Sequence, residues 1–162
     1  MPFKRPAALA TDTAAVEDVA IHVLEKVDEA YYYVVLLPAT SSLRSAADID
    51  GAIERCHGSG MPACVTVTES AKSPFWMFRI GADGNLVPLF GSPSRRRRQD
   101  VPTAYVPNGA VYVARVPWFQ ENRTFYGEKT VAHVMPAERS LDVDSAWDLE
   151  VFRALLAWRP GP

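Results

Sequence analysis

The chain has 162 residues, of which 48% are hydrophobic and 22% are charged, and its formal net charge is −2. This length and balance predict one globular domain with a sizeable core and exclude wholesale disorder. The small net charge provides no general attraction to nucleic acid or to an anionic membrane, and no apolar run approaches the roughly 20 residues that span a bilayer. We therefore expect neither nucleic acid nor a membrane as a partner.

The chain contains only two cysteines, Cys56 and Cys64. Two are too few for a disulfide framework, and their spacing is not that of metal ligands. The N-terminus has no apolar signal core. These features predict a cytoplasmic protein.

Helix and strand patterns alternate in the first half of the chain. Asp12 or Thr13 is a candidate cap for a first helix with one apolar face. That face is predicted to consist of Val16, Val19, Ala20, Val23, Leu24 and Val27. The apolar run 31–37 predicts a strand that is buried on both faces, as in a parallel sheet.

A second helix and strand follow. Ser45 is a candidate cap for a helix that ends at about Cys56, and 63–68 predicts the next strand. The order helix, strand, helix, strand predicts an α/β fold with a parallel sheet.

The pattern changes after residue 72. Segments 75–80 and 86–90 flank a turn at 81–84 and predict a hairpin. The hairpin is so apolar that we expect it to pack on a partner subunit.

The last third of the chain predicts two more strands, at 110–114 and 131–135, and a final helix. Ser145 and Asp148 have the spacing of a capping box. The helix is predicted to run to about Trp158 and to bury Val151, Phe152, Leu155 and Leu156.

Two stretches carry the chemically suggestive residues. The segment 95–113 combines four arginines with an Asn-Gly pair and a strand pattern, which favours a recognition loop that leads into a core strand. Asp142 and Asp144 flank Val143, so both carboxylates point to one face if the backbone is extended. Alternatively, Asn108-Gly109 is only a turn, and the aspartates are capping carboxylates of a loop before a helix.

Taken in order, these segments resemble the acylneuraminate cytidylyltransferases and their CMP-nonulosonate relatives. The resemblance rests on KRPAALATDT at 4–13, His22, TSSLRSAADID at 40–50, FWMFRI at 75–80, RQDVP at 98–102, YVPNGAVYV at 105–113, FYG at 125–127 and SLDVDSAWD at 140–148. It implies one α/β domain over 1–162 with a three-layer, nucleotide-diphospho-sugar-transferase-like (Rossmann-like) mixed sheet. The sheet would be incomplete at its N-terminus, and 72–95 would form a hairpin excursion for dimerisation.

The resemblance also implies an activity. The anomeric hydroxyl of an acidic nine-carbon sugar would attack the α-phosphate of CTP and give a CMP-sugar and pyrophosphate. A divalent ion, Mg²⁺ or Mn²⁺, and a homodimer are expected. Mg²⁺ suits such a site because it prefers one or two carboxylates together with phosphate oxygens and waters.

Particular residues acquire roles from the same resemblance. Asp142 and Asp144 would be the catalytic metal ligands, Arg98 would pair with the sugar carboxylate, and Arg5 would lie near the cytosine. The remaining sugar-binding residues would be Asn108, Tyr112, Phe125 and Tyr126. From pattern alone, Tyr112, Phe125 and Tyr126 could equally be ordinary core aromatics.

The chain departs from the family pattern at several polar positions. Pro38 stands where a sugar-binding glutamine is expected, Val106 where an arginine is expected, and Ala15-Val16 where paired serines are expected. A glycine-rich phosphate loop and two βα units, on the order of sixty residues, are expected before Lys4. We therefore interpret the chain as N-terminally truncated. The alternative function is a non-catalytic dimeric remnant with at most weak sugar binding.

Overall fold

The computed structural model describes residues 3–90 and 101–157. The helices are α1 (Val16–Lys26), α2 (Ala46–Ser59), α3 (Val116–Asn122) and α4 (Ala146–Ala157). The strands are β1 (Tyr33–Leu36), β2 (Ala63–Glu69), β3 (Phe78–Ile80), β4 (Leu86–Pro88), β5 (Tyr105–Arg115) and β6 (Thr130–Val134). In the described part of the chain, single turns of 3₁₀ helix lie at Ala7–Leu9, Pro74–Trp76 and Ala137–Arg139.

The main sheet is mixed, with strand order β1-β5-β2-β6. Strand β5 runs antiparallel to both of its neighbours, whereas β2 and β6 are parallel. The predicted mixed α/β architecture is confirmed. The prediction of a parallel sheet from the first two strands is wrong in detail, because β5, from much later in the chain, lies between β1 and β2.

Strand β1 lies at one edge of the sheet formed by the described residues and is only half-buried. The predicted strand, 31–37, was expected to be buried on both faces. Instead, the strand begins at Tyr33, and Tyr32 is 88% exposed. The prediction failed because an edge strand has a neighbour on one side only, so its apolar run is less covered than that of a central strand.

The sheet carries helices on both faces, which gives three layers. On one face, the buried core contains Ala20 and Ile21 of α1 together with Phe119 of α3. On the other face, Ala52 and Cys56 of α2 pack against β5 and β2. The two cores are separate, so the strand residues of β5 divide between them.

The buried stripe of α1 differs from the predicted one. Ile21 is buried, whereas Val16 and Val23 are exposed. The helix follows Ala15, and no side chain caps it, so the predicted caps at Asp12 and Thr13 are wrong. Periodicity alone did not determine the stripe because apolar residues lie on more than one side of this helix.

Helix α2 begins as predicted and ends later. Ser45 caps it through a capping box in which the Asp48 side chain accepts from the Ser45 backbone N–H. The helix extends past the predicted end at Cys56 to Ser59. It stops at Gly60, whose φ of 70° is the left-handed conformation that glycine adopts at helix ends.

The predicted hairpin is confirmed as the separate two-stranded sheet β3-β4, but its first strand is shorter than the predicted 75–80, because Pro74–Trp76 forms a 3₁₀ turn. Several of its apolar side chains are exposed, with Ile80 at 75% and Leu86 at 67%. The part of the predicted excursion at 91–95 lies outside the described residues.

Helix α4 has the predicted capping box. The Ser145 N–H donates to Asp148 Oδ2, and the Asp148 N–H donates to Ser145 Oγ, as Ser45 and Asp48 do at α2. The prediction that the helix buries four residues is wrong: no residue of Ala146–Ala157 is buried, and Leu156 is exposed. An apolar stripe predicts which side of a helix can be covered, but not how completely a neighbour covers it. Within 3–90 and 101–157, no helix is long and apolar enough to cross a membrane.

Candidate functional site

A bulge in β5 organises the site. Tyr112 of β5 pairs with Val65 of β2, but the next pairing joins Pro107 to Val67, so the residues between leave the regular ladder. Gly109 has a φ of 71°, which glycine adopts without steric cost. The Asn-Gly pair is therefore not a hairpin turn, and the strand that contains it is longer than the predicted 110–114. Bulges of this kind often redirect residues next to active sites.

Buried polar groups satisfy the backbone of this bulge. The Val111 N–H donates to the Thr66 hydroxyl at 2.8 Å, and that hydroxyl donates to the Val111 carbonyl at 3.1 Å. The Ala110 N–H donates to Asn108 Oδ1 at 3.2 Å. Buried backbone groups need hydrogen-bond partners, and these bonds supply them, so the irregular conformation is stable inside the sheet.

The Asn108 side chain is buried and makes three contacts within the protein. Besides the bond to Ala110, its Nδ2 donates to Ser140 Oγ at 2.9 Å and lies 3.3 Å from Met135 Sδ. These contacts attach the bulge to the segment that precedes Asp142. They favour an indirect role for Asn108 at the site, and its direct contact with a sugar stays a prediction.

The loop that follows β1 meets the same bulge and Asp142. The buried Ser41 hydroxyl lies 3.0 Å from Asp142 Oδ1 and 3.2 Å from the Asn108 carbonyl oxygen, and it can donate its one hydrogen to either. The Val143 N–H donates to the Thr40 carbonyl at 3.0 Å. The loop therefore holds the Asp142 segment by a side chain and by the backbone.

Arg44 stabilises this loop from within. Its Nη1 donates to the carbonyl of Pro38 at 2.7 Å and to that of Ser41 at 2.6 Å. Hydrogen bonds from a charged donor are among the stronger ones in proteins. Pro38, which replaces the expected glutamine, is thus part of a loop whose shape is maintained by the Arg44 side chain through backbone carbonyls.

Gly109 allows Asp142 to approach the bulge closely. A Cβ at this position would lie 2.9 Å from Asp142 Oδ2 and 2.9 Å from Ser41 Oγ, and both distances are too short for carbon–oxygen contacts. The site therefore requires glycine here both for its positive φ and for the space above it.

The two aspartates predicted to bind a metal differ in their surroundings. Asp142 is half-buried, with one carboxylate oxygen at Ser41 and the other at Gly109, whereas Asp144 is exposed. No group of three or more His, Cys, Asp or Glu side chains in the described part of the chain is arranged to hold a metal. Mg²⁺ commonly uses one or two carboxylates with phosphate oxygens and waters, so this pair fits Mg²⁺ or Mn²⁺ by its chemistry.

Tyr112 packs beside the aromatic pair Phe125 and Tyr126. Its ring centroid is 5.4 Å from that of Phe125 and 6.1 Å from that of Tyr126. The pKa of the Tyr112 hydroxyl is raised, first by burial and then by the neighbouring Tyr126 hydroxyl and the negative charges of Asp142 and Glu17. The Tyr112 ring therefore lies next to both aromatic residues that are predicted to bind the sugar.

Phe125 and Tyr126 have different environments. Phe125 is 1% exposed and packs against Phe119 at a centroid distance of 4.5 Å, as a core aromatic does. Tyr126 is 46% exposed beside Tyr112. Of this pair, Tyr126 is available for direct contact with a ligand. Phe125 is buried and packs behind the Tyr112 ring.

Glu17, whose negative charge helps to raise the pKa of Tyr112, is a residue that the sequence did not single out. It lies in the first turn of α1 and is half-buried. An acidic residue at that position is usually explained by the helix dipole, so the sequence carried no specific signal for a role at the site.

The two arginines predicted to bind substrate are not part of the described cluster. Arg98 lies outside the described residues. Arg5 is exposed and lines a hollow of about 240 Å³ with Phe3, His22 and two valines of α1. This hollow shares no lining residue with the Asp142 cluster, so the role of Arg5 stays a prediction.

Comparison with known proteins places these features in a family, although no family model matches the chain. The chain is 30% identical over 162 residues to the CMP-N,N'-diacetyllegionaminic acid synthase of Legionella pneumophila, covering 96% of this chain and 68% of that protein. It is 29% identical to the post-translational flagellin modification protein B of Campylobacter coli, over 95% of this chain and 67% of that protein.

Longer relatives match over a smaller share of their length. The chain is 30% identical over 144 residues to an N-acylneuraminate cytidylyltransferase of Streptococcus agalactiae, which is 89% of this chain and 35% of that protein. The chain therefore spans about a third of the length of this relative.

A solved structure supports the fold. The structure of a CMP:2-keto-3-deoxy-manno-octonic acid synthetase in complex with CTP aligns with a TM-score of 0.60 over 90% of this chain and 69% of that one, at 14% sequence identity. At that identity the likeness concerns the fold alone, and it agrees with the mixed sheet described above. On the 30% identity that extends over two thirds of the Legionella protein, the chain belongs to the family of the acylneuraminate cytidylyltransferases and CMP-nonulosonate synthases.

Proposed function

We propose that the protein transfers a cytidylyl group from CTP to an acidic nine-carbon sugar of the sialic-acid or legionaminic-acid type. The observation that carries this proposal is the close approach of Asp142 to the bulge of β5, the strand that also carries Tyr112, in a member of this family. In the reaction, the anomeric oxygen of the sugar bonds to the α-phosphorus of CTP and releases its proton to the solvent. The bond from that phosphorus to the bridging oxygen breaks, and pyrophosphate leaves with the electron pair.

Asp142 and Asp144 would hold the divalent ion, Mg²⁺ or Mn²⁺. When bound, such an ion neutralises charge on the phosphate oxygens, which is the main requirement of phosphoryl-type transfer. Asp142 would supply a carboxylate of restricted orientation, because its two oxygens lie against Ser41 and Gly109. Asp144, which is exposed, would supply the more mobile one.

The sugar would lie against Tyr112 and Tyr126. The buried side chains of Phe125 and Asn108 would support these residues from the protein interior. Tyrosine suits a sugar because it offers an apolar ring and a hydroxyl that hydrogen-bonds. Arg98 would pair with the sugar carboxylate, since a guanidinium binds a carboxylate through two parallel hydrogen bonds. Arg5 would lie near the cytosine.

Pyrophosphate release tests the activity. The 162-residue chain is incubated with CTP, Mg²⁺ and either N-acetylneuraminate or N,N'-diacetyllegionaminate. We expect pyrophosphate with at least one sugar, a large loss of rate in Asp144→Asn, and an unchanged rate in Asp50→Asn, which alters an exposed aspartate on α2. If no pyrophosphate forms at high protein concentration, the chain is the non-catalytic alternative, and sugar binding alone is then measured by calorimetry.

We also propose a homodimer that forms through the β3-β4 hairpin, because the hairpin exposes Ile80 and Leu86 side by side as a cross-strand pair. Sedimentation velocity should show a dimer for the wild-type chain and a monomer for Ile80→Glu. Trp147→Glu is the matched control, since Trp147 is equally exposed but lies on α4. A wild-type monomer at the concentrations of the activity assay would contradict the dimer.

A cytoplasmic location completes the proposal. Cys56 and Cys64 are both free and buried, as is usual in reducing compartments. Fractionation of cells that produce the protein should recover it with cytoplasmic markers, and recovery with periplasmic or membrane markers would contradict this location.

A further inference from the structure

We propose that Ser41 is a positioning residue that orients the carboxylate of Asp142 for metal binding, in the space that Gly109 leaves open. The inference rests on the proposed function, because it presumes that Asp142 is a metal ligand. Ser41 touches neither the metal nor the substrate in this proposal, and it acts through Asp142 alone.

The contacts of Asp142 leave its carboxylate little freedom. Ser41 is completely buried, and its hydroxyl lies 3.0 Å from Asp142 Oδ1. The other oxygen, Asp142 Oδ2, lies 2.9 Å from the point that a Cβ of residue 109 would occupy, a space that glycine leaves free. Because the Ser41 hydroxyl can donate to one carboxylate oxygen, rotation of the Asp142 carboxylate away from this position breaks that hydrogen bond.

The position of the Ser41 hydroxyl is itself fixed by the surrounding loop. Arg44 donates to the Ser41 carbonyl, and the Thr40 carbonyl accepts from the Val143 N–H. One backbone hydrogen bond, between the neighbours Thr40 and Val143, thus holds the donor segment and the acceptor segment together beside the Ser41–Asp142 contact. A serine free to change rotamer at an exposed position would not orient its partner in this way.

This arrangement has a consequence for metal affinity. Groups that hydrogen-bond to a ligating carboxylate determine its orientation, and their removal commonly lowers metal affinity by roughly tenfold to a hundredfold. Ser42 is a matched control in the same loop, because its side chain is exposed and its hydroxyl donates to the Ala39 carbonyl instead.

The experiment measures Mn²⁺ binding by the electron paramagnetic resonance of free Mn²⁺, with and without CTP, in Ser41→Ala and Ser42→Ala. We expect Ser41→Ala to bind Mn²⁺ about tenfold more weakly or worse, and Ser42→Ala to bind as the wild type does. Ser41→Thr, which keeps the hydroxyl, should recover most of the affinity. Hydrogen exchange should show faster exchange of the Val143 amide in Ser41→Ala only.

A double substitution separates positioning from general structural damage. In the Asp142→Ala background, Ser41→Ala should cause no further loss of Mn²⁺ affinity, because the residue through which Ser41 acts is gone. If Ser41→Ala does not fold, Ser41→Cys, which retains only a weak donor, is measured in its place with the same expectations.

The inference is overturned if Ser41→Ala binds Mn²⁺ as tightly as the wild type, if the loss persists in the Asp142→Ala background, or if the wild type binds no Mn²⁺. The result is distinguishable from that of the activity assay. Ser41-dependent Mn²⁺ binding without pyrophosphate release supports the positioning role and contradicts the reaction. Pyrophosphate release together with Mn²⁺ binding that does not depend on Ser41 supports the reaction and contradicts the positioning role.

Discussion

The guanidinium of Arg139 donates two hydrogen bonds of 2.9 Å to the carboxylate of Asp48, from Nε to Oδ2 and from Nη2 to Oδ1. Asp48 is buried, and its Oδ2 also accepts from the backbone N–H of Ser45 in the capping box of α2. One carboxylate thus joins the start of α2 to the segment that leads into Asp142. Ser41 precedes α2 in the chain and Asp142 follows Arg139, so the ion pair connects the two chain segments that carry the Ser41–Asp142 contact.

Replacement of Arg139 by lysine should destabilise the fold. Lysine cannot reproduce the two-pronged geometry, and it leaves one oxygen of a buried carboxylate under-satisfied. We expect the free energy of unfolding in urea to fall by about 1–2 kcal/mol, because Arg139 is partly exposed and Ser45 still supports Asp48. Arg153→Lys is the control: its pair with Glu150 is on the surface, so the change should be within about 0.5 kcal/mol.

The same ion pair should make stability depend on pH. The hydrogen bonds from Arg139 are the largest cause that lowers the pKa of Asp48 below its usual range. A carboxyl whose pKa is lower in the folded state contributes its full stabilisation above the unfolded pKa of about 4 and loses it as the pH falls below that value. Between about pH 6 and pH 2, the free energy of unfolding should therefore fall less in Arg139→Met than in the wild type. Urea unfolding measured at a series of pH values gives this dependence. Parallel pH profiles would contradict this assignment.

Substitution of Gly109 should cost more than its positive φ alone explains. Gly109→Ala places a Cβ against Asp142 and Ser41, whereas Gly84→Ala meets a comparable φ of 75° with no atom within 4 Å. We expect the φ effect to be about 1–2 kcal/mol at both positions and the additional clash to lower the unfolding free energy further at Gly109 only. Equal losses in the two variants would show that the bulge has room for a side chain.

Removal of the Thr66 hydroxyl should destabilise the bulge. Thr66→Val keeps the shape but leaves the Val111 N–H without its acceptor in a buried position. The cost of an unsatisfied buried group predicts a loss of about 2 kcal/mol in unfolding free energy. Thr68→Val, in the same strand but only half-buried, is the control and should change stability by less than about 0.5 kcal/mol. A Thr66→Val variant as stable as the wild type would mean that the bulge relaxes to satisfy Val111 by another route.

Local patterns in the sequence predicted the local features well. The capping boxes at Ser45–Asp48 and Ser145–Asp148 form as expected, because each depends on residues three apart in the chain. Strand β2, strand β6 and the β3-β4 hairpin also lie where hydrophobic patterning predicts them. The family, too, was recognisable from ordered motifs, and the 30% identity to the Legionella protein confirms it.

The predictions that failed concern neighbours distant in sequence. The placement of β5 between β1 and β2, the exposure of Val16 and Val23, and the incomplete burial of α4 all depend on which element packs against which. Strand pairing and helix covering are decided by the free energy of the whole assembly, and a short window of sequence does not contain that information.

In the candidate site, too, some features follow from the local sequence and others from contacts between distant residues. The sequence by itself determined its chemical groups: the paired carboxylates of Asp142 and Asp144, the Asn-Gly pair and the tyrosines. Only the tertiary structure decided that Ser41 contacts Asp142 across 101 positions of sequence and that Thr66 supports a bulge 45 positions away. The physical reason is that a hydrogen bond between buried groups requires the backbone to bring them within about 3 Å, and the fold, not local propensity, supplies that approach.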